Sequence, residues 1–484
     1  MKRFNYYSFL LIVHFLLIFI TVFGSAFVIA IGQPVWLIAF LTVPMVNLLL
    51  LPITRKDEKF DPAHPILMVL VSVLIGTVLR SFFIISPYES PAKFLMLMGK
   101  PPTFLLNGII PLYIGFIFFV FGYIYPVKPL KDWSSKRIYK NEVSLKKYIP
   151  VTIIITLISM YTAYEFFKKT GVNFGALSAD DLSKKRRFEL EGGGYAALGY
   201  YKMVMDLIEP LFYIALMYML IYKKKIWSFL GFLTLVLGLL NLIYPIIESI
   251  RTNALYVMIN TGLIIYYLKG GIKIQDLIKV VVVASVILYT MTILRSSNNT
   301  KRTVTEVSTN PLALMVGTTN FTGVDKTAQI INGVPDKLPY QFGESLVYWL
   351  TSPIPRTWWP DKPAISYGLI IGEKIYGKRD ETDAGGGIPP GFVAEMYLNF
   401  GYAGIVLGMF LMGLIFKLLY NAYLQSRNKS TYAMLVFVIV FIPLTLKLIG
   451  GDFSGVMTKV IKGIVSIYVI MLLIQKKNTD SYSD

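Results

Sequence analysis

Cationic side chains inside or beside apolar segments are the first feature of this sequence that could do chemistry. They are Arg80, Arg251, Arg295, Arg356 and Lys447. A charge is costly within or at the end of a membrane span, so such residues are candidates for function. Guanidinium groups match phosphate oxygens through paired hydrogen bonds, and several of them at one surface would hold a diphosphate. The alternative for each residue is a charged head that extends to the lipid headgroups.

Arg356 lies in a rigid sequence context. Pro355 precedes it, Pro360 follows, and Trp358 and Trp359 stand between. Proline fixes its own φ and restricts the residue before it, so the arginine is preorganised for binding. An interfacial arginine stacked on one of the tryptophans is the alternative.

Arg251 stands at the start of an apolar segment, three positions after Glu248. An arginine at a helix N-terminus can join the free amide groups as an anion site. A Glu248–Arg251 pair that only caps the helix is the alternative.

Carboxylates in the same part of the chain are candidate general bases. The main candidates are Glu344, Glu395 and Asp452, and the weaker ones are Asp325 and Asp361. A hydroxyl group that attacks the anomeric carbon of a sugar gains from a carboxylate within hydrogen-bond distance. One base is expected, and the sequence does not choose among the candidates. Asp206 and Glu209 lie inside an apolar segment, so we interpret them as partners of the cations.

Composition excludes several other chemistries. The chain has no cysteine and only two histidines, His14 and His64, so thiolate and histidine metal sites are not expected. The pair Asp180-Asp181 is too weak a signal to add a metal, and we predict no metal and no cofactor. The net charge of +19 is explained by loop lysines that set membrane orientation, so we expect no nucleic acid as a partner.

The elements that must position these residues are membrane-spanning helices. Hydrophobic residues form 55% of the 484 residues, and apolar runs of about 20 residues fit the hydrocarbon core. We predict an all-α, polytopic bundle in a single membrane domain, 1–484. Its twelve predicted spans are 6–30, 34–53, 65–86, 103–125, 149–167, 196–222, 227–247, 252–268, 277–294, 397–420, 431–449 and 456–474.

Loop lysines orient the predicted bundle. The loop 126–148 carries seven basic and two acidic residues, and excess positive charge is typical of cytoplasmic loops. Both termini are then cytoplasmic, and the long polar segment 295–396 is extracytoplasmic. The basic segment 168–195 falls outside in this arrangement and is the exception to the rule.

The segment 295–396 is too long for a structureless connection. Phe342, Leu346, Val347 and Leu350 repeat at helical spacing, which predicts short helices that lie in the membrane interface. We expect the site to form where this loop meets the ends of the spans.

Three groups of residues in this region resemble a known family, the Wzy-type polymerases of bacterial surface polysaccharides. They are the run Pro355-Arg356 to Pro363, the Gly-rich stretch before Pro389-Pro390, and Glu395, Tyr397, Asn399, Phe400 and Gly401 leading into a span. Arg251 also has a glycine eleven positions on, Gly262, as the family pattern asks. Arg356 with Gly368 misses that spacing by one residue. The likeness is strongest over about 340–405, and related O-antigen ligases share the arginines and the long loop.

The resemblance implies a glycosyltransferase with a membrane-embedded fold of the lipid-sugar type, often called GT-C. It would move a glycan from undecaprenyl diphosphate onto a second lipid-linked oligosaccharide, with donor and acceptor both in the bilayer. Arg80, Arg251, Arg295, Arg356 and Lys447 would bind the diphosphate, with Arg356 also catalytic and one of the three acids as base. Displacement would invert the anomeric centre without a metal ion. A chain-length regulator is a further expected partner, and the expected location is the cytoplasmic membrane with an extracytoplasmic active site.

Two other classes of function fit parts of the sequence. An O-antigen-type ligase would use the same chemistry with another acceptor. A lipid-linked-sugar transporter or flippase fits the number of spans, but the long outer loop and the lack of paired Gly/Pro-interrupted spans are not typical of transporters. A receptor or scaffold would not require arginines at the outer leaflet.

Overall fold

The computed structural model of the chain consists of helices and their connections. It describes residues 6–55, 60–86, 99–128, 143–169, 199–225, 227–248, 251–271, 286, 316–317, 321–354, 358–359, 362, 366–377, 387–426 and 430–475. The first eight helices are α1 (Tyr6–Ala30), α2 (Pro34–Ile53), α3 (Pro65–Ile85), α4 (Pro102–Ile124), α5 (Leu145–Lys169), α6 (Gly199–Ile221), α7 (Phe229–Ile247) and α8 (Arg251–Lys269). The others are α9 (Val324–Gly333), α10 (Gly368–Lys374), α11 (Phe392–Ser426), α12 (Thr431–Leu448) and α13 (Phe453–Ile474).

The predicted all-α membrane fold is confirmed. Within the described residues, ten helices are long and apolar enough to cross a membrane, namely all except α8, α9 and α10. Helix α8 covers the eighth predicted span. The ninth predicted span, 277–294, lies outside the described residues apart from Val286.

Close helix packing depends on small residues. A Cβ atom at Gly122 of α4 would lie 1.9 Å from the Phe410 carbonyl oxygen, and one at Gly413 of α11 would lie 2.1 Å from the Phe119 carbonyl oxygen. Glycine at both positions lets the two backbones touch, which is the usual way that helices associate in lipid. Helix α4 therefore packs closely against α11, which carries the five family-like residues from Glu395 to Gly401.

A buried polar cluster joins helix ends at one side of the bundle. The Asp61 carboxylate accepts hydrogen bonds from the hydroxyl groups of Tyr267 and Tyr420. His64 caps α3 by accepting from the Ile66 N–H, and its Nε2 lies 3.1 Å from the Tyr123 hydroxyl. Burial lowers the pKa of His64 to about 4, so the ring is neutral at pH 7. The cluster brings together the ends of α4, α8 and α11 with the start of α3, as the predicted alternation of spans requires.

Helix α11 is broken near its start, whereas the sequence predicts a continuous span over 397–420. Phe400 and Gly401 leave the helical conformation, and Gly401 has φ +62° and ψ −149°, a region almost restricted to glycine. The carbonyl groups of Leu398 and Asn399 accept hydrogen bonds from the N–H groups of Gln341 and Phe342 instead. The polar segment thereby supplies hydrogen-bond donors to carbonyl groups at the end of the first part of α11.

Short helices occur in the polar segment, as predicted. Besides α9 and α10, one helical turn spans Glu344–Val347 and a 3₁₀ turn follows at Tyr348–Thr351. Phe342, Val347 and Leu350 are exposed on this part of the surface. The two turns pack against α11 and α13, so they lie over the ends of the spans.

Candidate functional site

The turn between α12 and α13 joins the polar segment to the bundle. The Lys326 ammonium group, buried at the end of α9's first turn, donates to the carbonyl oxygens of Pro389 and Gly450 at 2.9 and 2.7 Å. The N–H groups of Gly391 and Phe392 donate to the carbonyls of Gly451 and Ile449. These bonds fix the start of α11 beside the start of α13, so that their side chains share one site.

Arg80 ties α3 to the polar segment. Its side chain is only 1% exposed, and its Nε and Nη2 donate to the Val316 carbonyl at 2.8 and 2.6 Å. Nη1 donates to the Asp325 carboxylate at 3.1 Å. A six-residue π-helical segment, Leu74–Leu79, precedes the arginine; such segments are frequent at functional sites. The guanidinium group is therefore held by protein acceptors in this structure.

Glu395 is the centre of a buried hydrogen-bonded cluster. Its carboxylate accepts from the Ser345 hydroxyl at 3.1 Å and from the Phe453 N–H at 2.7 Å, and the side chain is fully buried. The Asn399 amide donates to the Ser345 hydroxyl at 2.8 Å, and the Ser454 hydroxyl donates to the Ser345 carbonyl. Both carboxylate oxygens thus have partners, and the cluster joins the polar segment, α11 and α13.

Asp452 caps α13 at the edge of this cluster. One carboxylate oxygen accepts from the Gly455 N–H at 2.8 Å, and the other lies 3.4 Å from the Ser366 hydroxyl. Burial raises the pKa of the Asp452 carboxyl above its ordinary value, against the effect of the hydrogen bond from Gly455. The capping bond is a sufficient structural role for this residue.

Glu344 is the candidate base that solvent or a substrate can reach. It begins the helical turn that carries Ser345, and its side chain is exposed. The Tyr348 hydroxyl donates to it, which orients the carboxylate. The structure therefore separates the three candidate bases by access: Glu395 and Asp452 are held by the fold, and Glu344 faces outward.

A second group of charges lines a cavity of about 170 Å³ between the spans. Four lysines contribute to its wall: Lys202 from α6, Lys447 from α12, and Lys459 and Lys462 from α13. Three acids, Asp206, Glu209 and Glu248, line the same cavity. Asp206 and Glu209 thus accompany cations, as the sequence predicts. We call this space the lysine cavity.

Individual contacts orient the charged groups of the lysine cavity. Lys202 forms an ion pair with Glu248, and the Lys459 ammonium lies 3.3 Å from the Asn253 amide oxygen. The Lys447 ammonium lies 4.4 Å from the centre of the Tyr256 ring, a cation–π distance. Asn253 and Tyr256 belong to the first turns of α8, the helix that Arg251 begins.

The predicted site residues therefore fall into three places. Arg80 lies beside Asp325, Glu395 and Asp452 share the junction with Glu344, and Lys447 lies in the lysine cavity. Arg295 and Arg356 lie outside the described residues, and only the backbone of Arg251 is described. Five further residues of these places were not among the predicted site residues: Lys202, Lys459, Lys462, Lys326 and Ser345.

These features define a class: a polytopic helical membrane protein whose polar segment packs on the ends of its spans, with acids and cations at the junction. A comparison with protein families finds a match to the model described as O-antigen polysaccharide polymerase Wzy over residues 7–478. The chain belongs to this family, which acts on lipid-linked oligosaccharide repeat units in a membrane. No curated protein and no solved structure matches the chain significantly.

Proposed function

We propose that this membrane polysaccharide polymerase transfers a glycan from undecaprenyl diphosphate to the terminal sugar of a second undecaprenyl-diphosphate-linked repeat unit. The reaction takes place at the outer face of the cytoplasmic membrane, and both termini are cytoplasmic. Membership of the family supports polymerisation, and the loop lysines support the orientation. A chain-length regulator remains a predicted partner.

The observation that carries the proposed mechanism is the exposed Glu344 carboxylate beside the start of α13. The Ser345 carbonyl accepts from Ser454 at 2.6 Å, so the turn that presents Glu344 is fixed to the first turn of this helix. Lys459 follows Ser454 by five residues, or about 8 Å along the helix axis. The same helix thus carries the contact that holds the Glu344 turn and, one to two turns further on, a lysine that lines the lysine cavity.

In the proposed reaction, an acceptor hydroxyl group attacks the anomeric carbon of the donor and gives its proton to Glu344. The new bond joins the acceptor oxygen to that carbon, and the bond from the carbon to the diphosphate oxygen breaks. The lipid diphosphate leaves with the bonding electrons, and direct displacement inverts the anomeric centre. Fixed cations stabilise the charge that develops on the leaving group; Arg251, Arg295, Arg356 and Lys447 are the proposed source, and no metal ion is required.

Arg80 has a positioning role in this proposal and is not one of the cations that bind the diphosphate. Its guanidinium group already donates to Asp325 and Val316, so contact with the diphosphate would require these bonds to break. We propose that it positions α9 and the polar segment, and that direct phosphate binding is the alternative for this residue.

The test is polymerisation by purified protein supplied with a lipid-linked repeat unit, with and without EDTA. We expect Glu344→Gln to lower the rate by at least about 100-fold, the usual contribution of a general base, with normal unfolding temperature. Glu373→Gln is the matched control because Glu373 is an exposed acid of α10 that pairs with Lys374. A full polymer ladder from Glu344→Gln protein would exclude Glu344 as the base, and loss of the ladder in EDTA would contradict metal independence.

A further inference from the structure

Two lysines of the lysine cavity face each other across neighbouring helices. Lys447 on α12 and Lys459 on α13 line the same cavity, and their side chains are near enough for their charges to interact. Like charges this close repel each other strongly when they are removed from water. An anion between them would convert this repulsion into attraction, so the pair is suited to a ligand that carries negative charge.

The close contacts of these two lysines are with neutral groups, and the acids of the cavity act on them only through the longer-range interaction of their charges. Lys459 donates to the Asn253 amide, and Lys447 lies over the Tyr256 ring. Within the part of the chain that the structure describes, neither forms a salt bridge with a carboxylate. Lys202, by contrast, is paired with Glu248. Lys447 and Lys459 thus differ from Lys202 in having no carboxylate within salt-bridge distance among the described residues.

The position of the cavity selects the kind of anion. It lies between membrane spans, and apolar side chains such as Met205, Val257 and Ile439 share its wall with the lysines. Ile439 belongs to a π-helical segment, Phe437–Phe441, within α12. A ligand with a charged head and a hydrocarbon chain satisfies both parts of the lining, whereas a free inorganic anion would use only the lysines.

We propose that the lysine cavity binds the diphosphate of the polyprenyl carrier, with Lys447 and Lys459 as its direct ligands and Lys462, one turn further along α13, as a supporting cation. This inference rests on the proposed function, and it adds Lys459 and Lys462 to Lys447, which that function already assigns to the diphosphate. Lysine is a phosphate binder that acts as a point charge. The pair would therefore accept a diphosphate without fixing its rotation, which suits a leaving group that must be exchanged after each addition.

The test measures binding apart from polymerisation. Farnesyl diphosphate is titrated into the purified full-length protein in phosphatidylcholine nanodiscs, with native mass spectrometry as readout. We expect the Lys447→Gln, Lys459→Gln double variant to raise the Kd at least 10-fold and Lys459→Arg to retain binding. Lys374→Gln is the matched control, because it removes an exposed lysine far from the cavity lining. Unchanged binding in the folded double variant would overturn the proposal.

Further arms distinguish other sources of the same chemistry. Farnesyl monophosphate is expected to bind more weakly than the diphosphate. Equal affinity for inorganic pyrophosphate, or displacement of the probe by phosphatidylglycerol at equal concentration, would each overturn a site for the lipid carrier. If the protein binds the probe through the lysines but makes no polymer, the proposed function fails and the site stands. If it makes polymer while lysine substitutions leave binding unchanged, the site fails and the function stands.

Discussion

Removal of the Arg80 side chain tests whether this residue holds the fold or contacts the substrate. In Arg80→Met, the Asp325 carboxylate loses the guanidinium group that lies 3.1 Å away. The Asp325 side chain is only 6% exposed, so water cannot replace that cation. The Val316 carbonyl loses two donors at the same time. A buried ion pair that loses one partner typically costs about 3–5 kcal/mol, since the other charge stays buried.

Neighbouring charge sets the expected value within that range. Lys326 lies close enough to Asp325 for their charges to interact, so the carboxylate of the variant is not isolated. We therefore expect a loss near the lower end, about 3 kcal/mol. It should appear as a lower unfolding temperature in detergent and as reduced abundance in the membrane, together with a loss of polymer.

A double variant separates the two roles of Arg80. Replacement of a buried ion pair by apolar residues is often neutral for stability, so Arg80→Met with Asp325→Leu should recover most of the unfolding temperature. Polymer should return with it if Arg80 acts only through the fold, and should remain absent if Arg80 binds phosphate. Wild-type stability and abundance of the single Arg80→Met variant would refute the reasoning.

Three further predictions concern the junction. Gly401→Ala should lower stability by about 1–3 kcal/mol because only glycine readily adopts this backbone conformation; circular dichroism melts would show no change if α11 were continuous there. Ser345→Ala should cost about 1–3 kcal/mol because it removes a donor to the buried Glu395 and an acceptor for Asn399, and Ser352→Ala serves as the comparison. Burial and the charge of Arg80 lower the pKa of Lys326 to about 7, so between about pH 7 and 10 the unfolded chain binds more protons. The free energy of unfolding should therefore rise with pH in that window. Lys326→Met should flatten the corresponding rise in unfolding temperature. The same dependence of unfolding temperature on pH in both proteins would contradict the lowered pKa of Lys326.

The spans could be predicted from the sequence because hydropathy over about 20 residues is a strong local signal. The break in α11 could not, because its cause is a set of hydrogen bonds from Gln341 and Phe342, far along the chain. Gly401 alone is compatible with a continuous helix. The helical turns over 344–351 were predictable from the spacing of Phe342, Val347 and Leu350.

The site was less predictable than the fold. Arg80 and Asp325 are separated by 245 positions, and Ser345 and Glu395 by 50, so nothing local indicates either pair. Glu344 and Glu395 look alike in the sequence, and only burial separates them. Lys459 and Lys462 did leave a signal, since two lysines three positions apart in an apolar span are costly.

The buried cluster around Asp61 constrains how the protein is made. Tyr267 and Tyr420 follow Asp61 by 206 and 359 positions, so during synthesis the carboxylate is made long before these two partners. A ribosome must complete most of the chain before the early helices can reach their final arrangement. A chain that ends before α11 therefore lacks the Tyr420 hydroxyl, a donor to this buried carboxylate.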